Sequence, residues 1–166
     1  MTIQFKQIEP KDKEVVLHLF KETAEKIHQM NVDHWQYWKN PPQEKIQWVE
    51  EGIQNKEFFF IETSNNENLG MVRIMNEDML YWGKQNEKAK YIHSLVIKEA
   101  YNGKGLGSKV IEAIARNAQK EDTKYLRLDA VAKNTGLCRY YEKLGFKKVG
   151  EKAMPLSVNN LYEKAL

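Results

Sequence analysis

A glycine-rich stretch, Tyr-Asn-Gly-Lys-Gly-Leu-Gly at residues 101–107, constrains the fold of this chain more than any other feature. It follows the β-rich run 89–97 and leads into the helical run 106–120. Glycine costs backbone entropy on folding, so such a density of glycines is expected where the backbone turns sharply or is closely approached. A strand, a glycine-rich turn and a helix also form an anion site, because the first helical amides lack internal partners and the helix dipole is positive there. The stretch therefore predicts either a tight turn with a helix cap or a cradle for phosphate.

Two common phosphate-binding signatures do not fit this turn. The P-loop needs a second glycine five residues after the first, and the dinucleotide fingerprint needs its third glycine at the same place. Counted from Gly103, that position holds Ser108. Both signatures are therefore excluded in this register.

The hydrophobic pattern of the whole chain predicts a mixed α/β domain. Alternating or β-branched runs predict strands, and apolar residues at helical spacing predict helices. A hairpin is expected around the Asn- and Gly-containing loop within residues 57–75. The expected elements, in order, are strand 2–8, helix 10–30, helix 41–53, hairpin 57–75, strand 89–97, helix 106–120, strand 124–131, helix 135–145, and strands 146–153 and 159–166. At least one strand–helix–strand crossover is expected to be parallel.

Composition excludes several other classes. The net charge is +3, with 26 basic and 23 acidic residues interspersed, so we expect no nucleic-acid partner. Cys138 is the single cysteine, which leaves no intrachain disulfide. The early charges at the N-terminus argue against a signal peptide, and no apolar run is long enough to span a membrane. We expect a protein of the cytoplasm, monomeric or homodimeric, without a membrane partner.

Two motifs in this chain resemble those of the GNAT superfamily of N-acetyltransferases. In that family a strand leads into Arg/Gln-x-x-Gly-x-Gly/Ala and then a helix, and here Gly105 and Gly107 fall on the family glycines. Asn102 stands where the family has Arg or Gln. The stretch 134–146 resembles a second family motif, Asn-x-x-x-x-x-x-Tyr-Glu-x-x-Gly-Phe, which is matched by Asn134, Tyr141, Glu142, Gly145 and Phe146. The two motifs occur in the family's order and about as far apart as expected.

The resemblance implies a single acetyltransferase domain over residues 1–166, with acetyl-CoA as cosubstrate and no metal. Its fold would be a mixed, mostly antiparallel central sheet, splayed at the coenzyme-binding strand and flanked by about four helices. Amides around 103–108 would hold the pyrophosphate, with charge from Lys104, and the strand at 95–97 would bind the pantetheine arm and offer an oxyanion donor. The coenzyme-binding residues implied are Leu95, Val96, Ile97, Asn102, Gly103, Lys104, Gly105, Leu106, Gly107, Ser108 and Asn134.

Tyr141 is the expected general acid, because the acid tyrosine of the family falls on this position. A phenol with a pKa of about 10 stays protonated at neutral pH and can donate to a departing thiolate. Tyr140 lies about 100° away around the helix and is the second choice. The alternative is that both are ordinary half-buried helix aromatics.

His93 is the expected general base on the strand 89–97. Its ordinary pKa of about 6.5 suits proton acceptance near neutrality, and strand alternation places Tyr91 on the same face. Arylalkylamine acetyltransferases carry histidines at these two spacings, which implies a base at His93 and a water route past Tyr91. Glu77 and Asp78 are weaker candidates for the base or for binding a cationic amine. Alternatively, His93 is structural and solvent deprotonates the amine.

The sequence constrains the binding site of the acceptor amine, and the roles of the remaining reactive residues, less strongly. Trp35 and Trp38, with Tyr37, form either an apolar acceptor wall or the hydrophobic seam between two helices, and Trp82 suits either arrangement. Cys138 is expected to pack as a small apolar residue. The other histidines, His18, His28 and His34, lack metal-ligand spacing.

The function predicted is direct acetyl transfer to a small-molecule or peptide amine within a ternary complex. A non-catalytic acyl-CoA sensor is the alternative, and a nucleotide-dependent transferase is a third.

Overall fold

The computed structural model describes residues 2–29 and 35–166. His34 and Met30 therefore lie outside the described residues. The order of elements confirms the predicted one throughout. The strands are β1 (Ile3–Gln7), β2 (Phe58–Thr63), β3 (Asn68–Met75), β4 (Ala89–Ile97), β5 (Tyr125–Val131), β6 (Lys147–Met154) and β7 (Ser157–Ala165). The α-helices are α1 (Lys13–Gln29), α2 (Gln43–Gln54), α3 (Leu106–Lys120) and α4 (Thr135–Lys143). Short 3-10 helices, which the pattern did not predict, occupy Pro10–Asp12, Gln36–Lys39 and Glu99–Tyr101.

The strands form one sheet in the order β1-β2-β3-β4-β5-β7-β6. The neighbouring pairs β1–β2, β2–β3, β5–β7 and β6–β7 are antiparallel, and β4–β5 is parallel. The parallel pair is joined through α3, which is the predicted crossover. This is the mixed, mostly antiparallel fold expected from the sequence.

The parallel register of β4 with β5 is short, and the splay expected at β4 stays a prediction. The register of β4 with β5 runs from Ala89 opposite Tyr125 to Tyr91 opposite Arg127. Both strands continue beyond these residues, to Ile97 and Val131. Ser94 has a φ of 54°, in the left-handed region that a side-chain-bearing residue seldom adopts within a strand. The backbone of β4 therefore changes direction shortly after its pairs with β5 end.

The chain divides into two compact units, each built from two segments. The first unit comprises Met1–Arg73 and Ser94–Lys109. Its hydrophobic core packs α1 and α2 against strands of the sheet, with Phe20, Val49, Phe58, Met71 and Val96 fully or almost fully buried. Phe20 and Trp38 stack with ring centroids 3.9 Å apart and planes only 8° from parallel.

The second unit comprises Ile74–His93 and Val110–Leu166. Leu126, Leu128, Ile111 and Ile114 are among its buried apolar residues. Arg127 is also buried, and its guanidinium donates to Glu163 (2.8 Å), Glu87 (2.9 Å) and the Tyr91 hydroxyl (2.9 Å). A buried guanidinium is tolerated because these acceptors satisfy its charge and its donors.

None of the helices within the described ranges combines the length and the apolar character that crossing a membrane requires.

Candidate functional site

The glycine-rich turn lies in the first unit, between the 3-10 helix Glu99–Tyr101 and the start of α3. Gly103 has a φ of 75° and Gly105 a φ of 68°, which L-amino acids with a side chain rarely adopt. A Cβ placed on either residue would meet no protein atom within 4 Å. The backbone conformation therefore requires glycine here, and the space beside both residues is open.

The first turn of α3 presents backbone donors beside that open space. Amides at the start of a helix have no intrahelical acceptor, and the dipole makes this end favourable for anions. Leu106 is buried and anchors the turn, whereas Asn102 and Lys104 are exposed. The Ser108 hydroxyl donates to the Gly105 carbonyl over 2.9 Å. Lys104 lies 5.8 Å from the centre of the Tyr101 ring, so a cation is available close to the turn. These features together suit a phosphate group.

The end of β4, also in the first unit, approaches β3 closely. A Cβ on Gly70 would lie 1.9 Å from the carbonyl oxygen of Val96. The Lys98 amide donates to the Leu69 carbonyl over 2.8 Å. Val96 is buried in the core, whereas Leu95 and Ile97 are partly exposed. Because the register with β5 ends at Tyr91, the backbone of residues 95–97 lies beyond that pairing.

A carboxylate–histidine cluster, formed by Asp78, His93 and Asp129, lies in the second unit. His93 Nε2 is 2.7 Å from Asp78 Oδ2, and His93 Nδ1 is 3.8 Å from Asp129 Oδ1. The His93 side chain is 14% exposed, Asp129 is 10% exposed and Asp78 only 4%. A carboxylate only accepts hydrogen bonds, so Nε2 donates to Asp78 and a neutral imidazole keeps its lone pair on Nδ1. The ring is therefore oriented as a proton acceptor at Nδ1.

Further hydrogen bonds hold both carboxylates of this cluster. The Tyr81 amide donates to Asp78 Oδ1 over 3.2 Å, and the Tyr81 ring packs against the His93 ring with centroids 5.7 Å apart. Asn159 Nδ2 donates to Asp129 Oδ2 over 2.7 Å, and Asn159 Oδ1 accepts from the Ser157 hydroxyl over 2.7 Å. Burial raises the pKa of the Asp129 carboxyl, and Asp78 adds to the rise, while His93 and Asn159 oppose it.

Tyr141 lies on α4 in the same unit as the cluster. Its ring contacts Phe146 edge to face, with centroids 5.8 Å apart. No hydrogen bond to its hydroxyl is formed by any of residues 2–29 and 35–166. Burial raises the pKa of the Tyr141 phenol, and Tyr140, Asp129 and Cys138 raise it further. The group is thus held in its protonated, donating form. Tyr140, the second choice, is more exposed.

Other predicted residues around α4 and β4 have local partners. Asn134 caps α4, because its Oδ1 accepts from the Leu137 amide over 3.1 Å. Tyr91 is 2% exposed and its hydroxyl accepts from Arg127. Trp82 packs edge to face on Tyr91 and lies over Arg127. Coenzyme contact by Asn134 and substrate contact by Tyr91 stay predictions.

The predicted acceptor aromatics pack into the first unit. Trp38 is 3% exposed and stacks on Phe20, and Trp35 contacts Phe20 edge to face with centroids 5.5 Å apart. Trp48 joins the same group. This packing corresponds to the hydrophobic-seam alternative for Trp38, whereas Trp35 is only partly buried. Cys138 is buried, as expected of a small apolar residue.

The carboxylate–histidine cluster is also a group that could hold a metal ion, since its ligand atoms lie within 4.8 Å of one another. However, the two ring nitrogens of His93 face different carboxylates, and one nitrogen is already hydrogen-bonded at 2.7 Å. A single ion cannot bind both nitrogens of one imidazole. The arrangement suits proton transfer better than metal binding.

Asp129 is the site residue that the sequence analysis missed. Its signal was a lone carboxylate in the apolar strand 124–131. Asp78, considered there a weaker candidate for the base or for binding a cationic amine, lies 2.7 Å from His93 Nε2.

Comparisons with known proteins identify the family of this chain. The chain belongs to the acetyltransferase (GNAT) family, whose sequence model matches residues 24–146. It is 29% identical over 90 residues to the uncharacterized N-acetyltransferase YesJ of Bacillus subtilis strain 168. That alignment covers 54% of this chain and 48% of YesJ, so the chain matches about half the length of this relative.

Solved structures show the same fold. A GNAT-family acetyltransferase from Listeria monocytogenes 4b F2365 superposes with a TM-score of 0.80 at 22% identity, covering 99% of this chain and 95% of that one. A second, from Streptococcus agalactiae 2603, gives 0.78 at 17% identity with the same coverage. An aminoglycoside acetyltransferase solved with coenzyme A and kanamycin gives 0.72 at 16% identity, again covering 99% and 95%.

Proposed function

We propose that residues 1–166 work as one acetyl-CoA-dependent N-acetyltransferase domain that transfers the acetyl group directly to an amine. The observation that carries this proposal is the His93 imidazole, which Asp78 holds at Nε2 so that Nδ1 is left to accept a proton. Family membership supports acetyl transfer as the reaction class. One solved relative is described as bound to coenzyme A and kanamycin, which is an amine-bearing molecule.

The glycine-rich turn is the proposed site of the coenzyme diphosphate. The amides of residues 103–108 would donate to phosphate oxygens, and the open space beside Gly103 and Gly105 admits them. Lys104 would add a positive charge. The backbone of residues 95–97 would bind the pantetheine arm and supply the donor for the thioester oxygen.

Proton transfer is the proposed task of the second unit. A cationic amine first gives one proton to His93 Nδ1, and Asp78 stabilises the imidazolium that results. The neutral amine then attacks the thioester carbonyl, forming the C–N bond. As the C–S bond breaks, Tyr141 gives its proton to the sulfur and recovers one from the amine nitrogen through water. The net change converts an ammonium and a thioester to an amide, a thiol and one proton released to solvent.

Thiol release from acetyl-CoA across a panel of alkylamines, arylamines, amino acids and peptides tests this function. We expect turnover with at least one amine, and double-reciprocal plots that intersect, as a ternary complex requires. Binding of acetyl-CoA without turnover for every amine would favour a sensor. A melting-temperature rise with ATP or NAD, and none with acetyl-CoA, would indicate a nucleotide-dependent enzyme.

Replacing Gly105 by alanine tests the turn itself. We expect the affinity for coenzyme A to fall about tenfold or more, because a methyl group would occupy the space that the phosphate needs. Gly83→Ala is the matched control, since Gly83 has a φ of 65° and equally open surroundings. Both variants carry similar backbone strain, about 1 kcal/mol. Titration calorimetry with coenzyme A measures the affinity, and an unchanged value in Gly105→Ala would contradict the assignment.

A further inference from the structure

The two oxygens of the largely buried Asp129 side chain differ in their hydrogen bonding. Asn159 donates to Oδ2, and Oδ1 faces His93 Nδ1 at 3.8 Å. That separation is too long for a hydrogen bond. Across residues 2–29 and 35–166, no group donates a hydrogen bond to Oδ1. The side chain is only 10% exposed, and one of its two carboxylate oxygens has a hydrogen-bond donor among the described residues.

His93 Nδ1, the nitrogen that faces Asp129 Oδ1, is a hydrogen-bond acceptor as well. Asp78 accepts from Nε2, so the lone pair of a neutral His93 lies on Nδ1. Two acceptors that face each other across 3.8 Å are spaced to share one nitrogen that donates to both at about 2.8 Å. Such a donor would need at least two hydrogens, as a protonated amine has.

The charges around Asp129 also favour a bound cation. The Asp78 carboxylate has the His93 N–H and the Tyr81 amide as partners. Within residues 2–29 and 35–166, the hydrogen-bond donor to the Asp129 carboxylate is the neutral amide of Asn159, so no described cation neutralises its charge while His93 is neutral. A buried carboxylate without a counter-charge is costly, and a bound ammonium would remove that cost.

We propose that Asp129 binds the acceptor as an alkylammonium, with the nitrogen shared between Asp129 Oδ1 and His93 Nδ1. This inference rests on the proposed function, and it makes the acceptor class primary or secondary alkylamines that are cationic at neutral pH. The Ser157–Asn159–Asp129 chain fixes the carboxylate so that Oδ1 faces the base. Asp129 is thus a binding residue that delivers the amine to the atom that deprotonates it.

The test is calorimetric titration of benzylamine and of aniline into the protein saturated with coenzyme A. Benzylamine is an ammonium at pH 7, whereas aniline is neutral and otherwise similar. We expect the affinity for benzylamine to fall about tenfold or more in Asp129→Asn, and that for aniline to change less than about threefold. Asp122→Asn, a matched removal of one exposed carboxylate at the turn after α3, is expected to leave both affinities unchanged.

A folding control accompanies the titration. Burial and Asp78 raise the pKa of Asp129, whereas His93 and Asn159 lower it, and Asp129 in turn raises the pKa of Tyr141. Because the pKa of Asp129 is raised in the folded state, the native chain binds its proton more tightly than the unfolded chain does. Stability is therefore lost as the pH rises through the raised pKa. The melting temperature of Asp129→Asn at pH 7 is expected to be at least that of the wild type.

Three results would overturn the proposal. The first is benzylamine binding that is unchanged in Asp129→Asn, and the second is an equal loss for benzylamine and aniline. The third is a wild-type protein that does not bind benzylamine. Failure of the proposed function gives a different result. Amine binding is measured by calorimetry with coenzyme A and needs no turnover, whereas the proposed function is tested by thiol release. If benzylamine binding depends on Asp129 but no amine yields thiol from acetyl-CoA, the ammonium site stands and the transferase assignment falls.

Discussion

Tyr141→Phe is expected to lower the turnover number by more than about tenfold, the low end for loss of an acid–base group. The hydroxyl is held protonated by its buried environment and has no partner among the described residues, so it is available to donate. Phenylalanine keeps the ring and its packing on Phe146. Stopped-assay turnover at saturating amine and acetyl-CoA measures the effect, and calorimetry is expected to give an unchanged affinity for coenzyme A.

Tyr140→Phe is the matched control, because it removes a hydroxyl from the neighbouring, more exposed tyrosine of the same helix. We expect its turnover to stay within about twofold of the wild type. If turnover fell strongly in Tyr140→Phe and stayed normal in Tyr141→Phe, Tyr140 would be the general acid instead of Tyr141. Normal turnover in both variants would remove a phenolic acid from the mechanism.

Gly70→Ala is expected to be the most destabilising single methyl addition at a glycine of the first unit outside its helices. The added Cβ would lie 1.9 Å from the Val96 carbonyl oxygen, a backbone atom that cannot rotate away. Relief requires β3 and β4 to separate, which would lengthen the bond from the Lys98 amide to the Leu69 carbonyl. We expect a loss of about 2–4 kcal/mol in the free energy of unfolding, in the range of severe overpacking.

Urea denaturation followed by circular dichroism measures this loss. Gly150→Ala, in β6, is the control, since its Cβ would find its nearest atom, Leu161 Cδ1, at an ordinary 3.7 Å. That variant is expected to change stability by less than about 1 kcal/mol. Equal stabilities for the two variants would show that β3 and β4 do not approach as described.

Local sequence patterns predicted the helices and strands because the periodicity of each element depends on residues close together in the chain. The helical face of α3 and the glycine turn before it are set by spacing alone, and the structure has α3 at the predicted 106–120. The three 3-10 helices were missed because each is too short to show a period.

The site was less predictable because tertiary pairing assembles it. His93 and Asp129 are distant in sequence and come together on neighbouring strands β4 and β5, while Asp78 reaches His93 from the segment after β3. No local pattern shows which ring nitrogen faces which carboxylate. The alternation rule placed His93 and Tyr91 on one face, but could not show that Arg127 holds the Tyr91 hydroxyl.

The position of β7 has a consequence for synthesis on the ribosome. In the sheet order β7 lies between β5 and β6, although it is the last of the three to be translated. Until residues 157–165 have emerged, β6 has no strand to join and Asp129 has no Asn159 beside it. The second unit therefore completes its sheet, and the hydrogen bond to its largely buried carboxylate, only after β7 has been translated, and a nascent chain stalled before β7 would display an unpaired edge to chaperones.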